Sequence, residues 1–230
     1  MKTFVALAGA LIAIASTALA SPVACSSLGS LDVAPLTDYT ALGSTGCTVG
    51  SGPDELLFGN FSLGGTVSAG DIQVALTGDG FDFESADWQV PPASEDSSVN
   101  FTVQTLSGAS LITGINLSAV EQFTGDGHAS VTESYCVGSL GGVATCPQAD
   151  GNLDVSDPPP DDNGPVTATF AATNEISITK DIDVTADSGT ASISDVYNTY
   201  DFVPEPMSYI LLGSGLLGLG LLRKRVRRNH

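Results

Sequence analysis

VNFTVQTL, residues 99–106, alternates apolar and polar side chains: Val99, Phe101 and Val103 on one parity, Asn100, Thr102 and Gln104 on the other. Successive side chains of a β-strand point to opposite faces, so this pattern predicts a strand with one face buried. The same alternation recurs on both sides. DIQVALTG (71–78) lines up Ile72, Val74 and Leu76; SLITGINLSAV (110–120) lines up Leu111, Ile115 and Leu117; VTATFAAT (166–173) lines up Val166, Ala168 and Phe170. TGDG stands between such runs at 77–80 and again at 124–127. Asp-Gly supplies the positive φ of tight reversals, so both copies predict turns. Helix formers are scarce and helical crossovers are missing. The expected fold is therefore all-β, an antiparallel two-sheet sandwich of jelly-roll-like type, with a closed barrel as the less favoured alternative.

Two stretches interrupt the pattern. DGNLDVSDPPPDDNGP, Asp150 to Pro165, combines three consecutive prolines with many aspartates and predicts a wet, protruding loop. In EISITKDIDV (175–184), Ile176, Ile178, Ile182 and Val184 share a face with Lys180 in its middle. Either a β-bulge breaks the register there, which is the favoured reading, or the lysine pairs with a carboxylate at a sheet edge.

The N-terminus predicts export. Met1-Lys2 leads into an apolar run from Phe4, and Ala18-Leu19-Ala20 forms a small-x-small site before Ser21, the layout of a cleaved signal peptide over residues 1–20. Cys25, Cys47, Cys136 and Cys146 then lie in an oxidising compartment, where an even count predicts two disulfides. Three pairings are open, and the local ones, Cys25–Cys47 and Cys136–Cys146, are favoured. Between the terminal segments, residues 21–202 hold 25 of the 26 acidic side chains and only Lys180 of the seven Lys and Arg, a net charge near −24. Phosphate backbones are bound by Lys and Arg, so nucleic-acid binding is excluded as a function.

No catalytic constellation stands out. His128, in a turn-like GDGHASV, is the sole histidine before the final residue, and no nucleophile elbow accompanies it. Zinc is disfavoured because no CxxC pair exists. Glu84, Glu121 and Glu133 are weak candidates for a glycan-hydrolysing pair. Calcium needs oxygen ligands on loops. Asp150, Asn152 and Asp154 alternate as at the start of an EF-hand-type loop, with Asp161 in the twelfth place, but Val155 stands where such a loop has glycine. Asp79, Asp82 and Glu84 form a second loose cluster. At both places an ordinary solvated acidic segment is preferred to a structural Ca²⁺ site, and no other cofactor is expected. Trp88 is either a stacking platform for sugar rings or, the preferred reading, a core residue.

The C-terminal segment is the most specific. Val203-Pro204-Glu205-Pro206 precedes sixteen uncharged residues, Met207 to Leu222, closed by Arg223, Lys224, Arg225, Arg227 and Arg228. As a helix the apolar run spans about 24 Å, marginal for a bilayer core of about 30 Å, and the cations would hold its end in the cytoplasm. This ordering over residues 203–228 resembles the PEP-CTERM sorting signal of exopolysaccharide-producing Gram-negative bacteria. The resemblance implies that an exosortase, an integral-membrane transpeptidase-like enzyme, recognises Pro204-Glu205-Pro206 and removes the helix. The preceding residues more loosely resemble the small Ser/Thr/Gly-rich β-sandwich ectodomains found ahead of such tails, which carry no established activity.

The expectation is three segments: a signal peptide (1–20), an acidic β-sandwich ectodomain (21–202) and a sorting signal (203–228). The protein would pass the inner membrane, be anchored transiently with its C-terminus in the cytoplasm, and end at the cell surface or in the extracellular matrix with exopolysaccharide, without enzymatic activity. The alternatives are a calcium-dependent carbohydrate-binding module and, more weakly, an extracellular glycan hydrolase.

Overall fold

The computed structural model describes residues 21–91, 94–106, 110–138, 148–157 and 165–204. The chain is mostly β. In chain order its strands are β1 (Val23–Ala24), β2 (Val33–Pro35), β3 (Cys47–Val49), β4 (Leu56–Gly65), β5 (Gln73–Thr77), β6 (Gly80–Glu84) and β7 (Gln89–Val90). They continue with β8 (Glu95–Thr105), β9 (Ser110–Gly125), β10 (His128–Val137), β11 (Gly151–Asp157), β12 (Val166–Thr173), β13 (Glu175–Thr185) and β14 (Gly189–Pro204). One sheet runs β1-β3-β4-β8-β13-β10-β11 and the other β12-β9-β14-β6-β5-β2, with β7 beside β14. Apart from the short parallel β1–β3 contact, the described ladders are antiparallel. The inner faces of both sheets meet in one core, a sandwich-like arrangement.

Alternation explains the core. Val99, Phe101 and Val103 are fully buried, as are Ile72 and Val74, and Val166, Ala168 and Phe170 pack on the core's margin. In β9 the inward residue is Ile112, not the expected Leu111. The register between β9 and β14 shifts there, with Phe202 opposite Ile112 and Asp201 opposite Gly114. The extra residue, Thr113, moves every side chain beyond it to the other face, as a bulge must. A cluster of rings fills one part of the core: Phe58 and Phe81 lie 4.3 Å apart by centroid, and Phe61 stacks on Phe101 at 5.3 Å. The short helix α1 (Leu36–Leu42) adds Tyr39 to that cluster, edge-on to Phe61 and Phe81.

The two TGDG copies both form turns but do different work. The first closes the β5–β6 hairpin, with Thr77 opposite Gly80. The second carries the chain from β9 in one sheet to β10 in the other, and Asp126 there accepts hydrogen bonds from the Ser188 backbone N–H and hydroxyl, at 2.7 and 3.0 Å.

Three local expectations are corrected. The segment after Asp150 is not all loop: β11 pairs along the edge of the first sheet with β10, because Leu153 and Val155 turn inward while Asn152 and Asp154 face solvent. No bulge occurs at Lys180. β13 keeps continuous register with β8 on one side and β10 on the other, so the lysine lies mid-sheet and not at an edge. It does pair with a carboxylate, Glu133, directly across in β10.

The disulfide Cys25–Cys47 forms as favoured, tying the first turn after β1 to β3. Cys136 is also disulfide-bonded, and its favoured partner Cys146 lies outside the described residues. So do Ala18, Ala20 and residues 205–230, which hold the expected signal and membrane helices. No described helix is long and apolar enough to cross a membrane.

Candidate functional site

β6 reads Gly80-Phe81-Asp82-Phe83-Glu84. Phe81 and Phe83 are fully buried inward, so Asp82 and Glu84 are turned to the outer face of the second sheet. β14 runs alongside with Asp195 opposite Glu84 and Tyr197 opposite Asp82. Carboxylate oxygens of Asp82, Glu84 and Asp195 thereby come within 4.8 Å of one another. Asp82 is only 6% exposed, and its Oδ1 has no hydrogen-bond partner. Burial, then the charges of Asp195 and Glu84, push its carboxyl up to about 7, against an opposing hydrogen bond from the Val196 backbone N–H. The Tyr197 hydroxyl donates to Asp195 Oδ1 at 3.3 Å, and Ser194 donates to Asp195 Oδ2. A depression of about 320 Å³ adjoins the cluster, lined by Asp71, Gln73, Glu84, Ser85, Ala86 and Ser194. Three converging carboxylates with an uncommitted oxygen suit a hard divalent cation, which would offset the burial and the repulsion that together raise Asp82.

The second polar constellation lies inside the core. Lys180, Glu133 and Asn198 are all 0% exposed. Lys180 Nζ donates to Glu133 Oε2 at 2.6 Å. Asn198, reaching across from β14 in the facing sheet, donates from Nδ2 to both Glu133 oxygens, at 2.8 Å to Oε2 and 3.0 Å to Oε1. A longer contact joins Nδ2 to the carbonyl of Asn116, at 3.4 Å. Asn198 Oδ1 and the Tyr200 hydroxyl are buried without hydrogen-bond partners. Desolvation lowers the pKa of Lys180 despite the Glu133 charge beside it, and burial followed by that charge raises the Tyr200 phenol.

The expected site residues are scattered. Asp150 accepts the Val137 backbone N–H at 2.7 Å, Asn152 and Asp154 stand on the outer face of β11, and Asp161 lies outside the described residues. Of the second loose cluster, Asp82 and Glu84 join the carboxylate group while Asp79 stays in the β5–β6 turn. Trp88 is core, 1% exposed, with its indole N–H donating to Ser97 Oγ at 3.0 Å, so it offers no stacking face. Glu133 is sealed between the sheets and Glu84 lies on an outer face, so they do not form a pair across a cleft. His128 is exposed at the start of β10. Val203 and Pro204 finish β14, opposite Leu111 and Ser110; Glu205 and Pro206 lie beyond the described residues.

Asp195 and Asn198 escaped the sequence reading. Asn198 carried a signal nonetheless: in VYNTY it shares parity with the apolar Val196 and Tyr200, as Glu133 does with Val131 and Tyr135. Each is a polar residue on an otherwise apolar strand face, the same anomaly noticed at Lys180.

No family model matches the chain, and no curated protein matches it. Among solved structures, one of TmCBM61 in complex with β-1,4-galactotriose aligns over 61% of this chain and 88% of its own, at 10% identity and a TM-score of 0.28, a likeness too slight to bear on function.

Proposed function

We propose that this chain is an exported, non-enzymatic protein of the cell surface or extracellular matrix, carried by its signal peptide, held transiently by a C-terminal membrane helix, and processed by an exosortase at Pro204-Glu205-Pro206. The observation that carries this reading is the order of its parts. A disulfide-bonded, acidic β body follows a signal-like N-terminus, and its last strand ends on Pro204, the first proline of the sorting motif. Two prolines at 204 and 206 disfavour helix at and just before them, a sequence feature that suits a processing enzyme. Peptide mapping of native material tests it: mature protein should begin at Ser21 and lack Arg223 to Arg228. Mature protein that keeps its arginine-rich tail would make it a plainly membrane-anchored protein.

A second, compatible reading gives the body a cation-dependent affinity for anionic exopolysaccharide. The Asp82, Glu84 and Asp195 group supports it, because a surface near −24 would otherwise repel such a polymer. Ca²⁺ held there would be shared between protein and polymer carboxylates. Retention on an anionic polysaccharide in millimolar Ca²⁺ should vanish in EDTA and in Asp82→Asn; retention indifferent to both would remove the cation from the account.

A further inference from the structure

Burying an ammonium and a carboxylate side by side is costly, and a core of this composition could be apolar at no loss of stability. What sets this pair apart is the third member. Asn198 presents a primary carboxamide to the same carboxylate oxygen that holds the Lys180 amine, Oε2 of Glu133. An amine, an amide and a carboxylate touching both, sealed from water, are the components of a transamidation. We propose that Lys180 and Asn198 become joined by an intramolecular isopeptide bond from Nζ to Cγ, with Glu133 as the catalytic acid–base.

The step balances without any co-reactant. Glu133 Oε2 takes one proton from the Lys180 ammonium, leaving the neutral amine with its lone pair. That pair attacks Asn198 Cγ and forms the Nζ–Cγ bond while the carbonyl π pair moves onto Oδ1. The protonated Glu133 carboxyl then delivers its proton to Nδ2, with which it is already in hydrogen-bond contact. As the oxyanion pair returns to rebuild the carbonyl, the Cγ–Nδ2 bond breaks and ammonia departs with that bond's electrons. Glu133 removes the surplus proton from Nζ. The products are a neutral secondary amide, a neutral carboxyl and one ammonia; the buried ion pair is gone, which favours the forward direction.

The surroundings agree. Lys180, Glu133 and Asn198 show no exposed surface, so water cannot compete for the intermediate. Desolvation already biases Lys180 toward the neutral amine that must attack. Asn198 Oδ1, on which negative charge develops, is not committed to any other donor, and Tyr200 offers a free O–H on the same face of β14. The bond would link the centre of one sheet, β13 between β8 and β10, to the centre of the other, β14 between β9 and β6.

Lys180 is the sole Lys or Arg between Lys2 and Arg223, which makes the test direct. Full-length protein, purified folded, is denatured, reduced and treated with trypsin. The proposal expects the Lys180–Asp181 bond to resist cleavage, because an acylated lysine is not a substrate. Digestion before aspartates should then yield one branched species, joining the peptide that ends at Lys180 to the one that starts at Asp195, lighter than their sum by one ammonia. Lys180→Arg should be cut completely at position 180 and show no such species, and Glu133→Gln, which keeps amine and amide but lacks the base, should behave as unlinked. Wild-type protein cut at Lys180, with both peptides separate and at full mass, overturns the proposal whether or not either variant folds.

Discussion

At Asp82 a carboxyl on the outer sheet face is shut in beside two others, and its acidity reports on what the site holds. Its folded pKa of about 7 lies above the ordinary carboxylate value near 4. The ion-free folded state therefore binds the proton more tightly than the unfolded chain does. Below about pH 4 the site costs nothing; between there and about 7 it progressively destabilises the fold. A bound cation needs the deprotonated form and removes that cost. Thermal melts should accordingly show a Ca²⁺-induced rise in Tm that is absent at pH 4.5 and grows through pH 7.5. Asp82→Asn should abolish the rise while making the metal-free protein more stable at pH 7.5 than the parent. Equal Ca²⁺ effects at both pH values would dissociate the cation from this carboxyl.

β6 shows how much an element depends on close approach. A Cβ placed on Gly80 would stand 1.9 Å from the backbone oxygen of Asn198 in β14. Gly80→Ala should push the two strands apart and cost on the order of 2–4 kcal/mol, the range of severe backbone and packing changes; urea unfolding of the variant measures it. Because β6 and β14 carry the carboxylate group between them, any Ca²⁺ affinity of the kind proposed for it should fall along with stability. Strands of this kind were legible in advance: the period-2 pattern picked out the inward residues of β5, β8, β12 and β13. What it could not reveal was which strands become neighbours, since partners such as Glu84 and Asp195 are brought together by topology and not by spacing. It also misread β9 at Leu111, where a single inserted residue reverses the parity. The loop reading after Asp150 let the prolines and aspartates outweigh Leu153 and Val155, which were enough to make an edge strand.

For the molecule as a whole, a covalent cross-link works against a large self-repulsion. With residues 21–202 near −24, like charges favour expansion. The Cys25–Cys47 disulfide, with a sequence separation of 22, restrains the unfolded chain by about 3 kcal/mol in the loop-entropy view. The Cys25→Ser/Cys47→Ser variant should lose roughly that much in urea unfolding, and more at low salt, where charge repulsion reaches farther. An unchanged midpoint would show that this end of the sandwich contributes little to the global fold. The placement of β14 has a mechanical side. The strand lies between β9 and β6, and its last residues adjoin the segment by which the chain would be tethered. Tension entering there runs along the strand axis, so its hydrogen bonds are loaded together in shear and cannot be opened one after another like a zip. A tether attached at that point pulls on a strand held from both sides, and the grip holds for as long as its neighbours do.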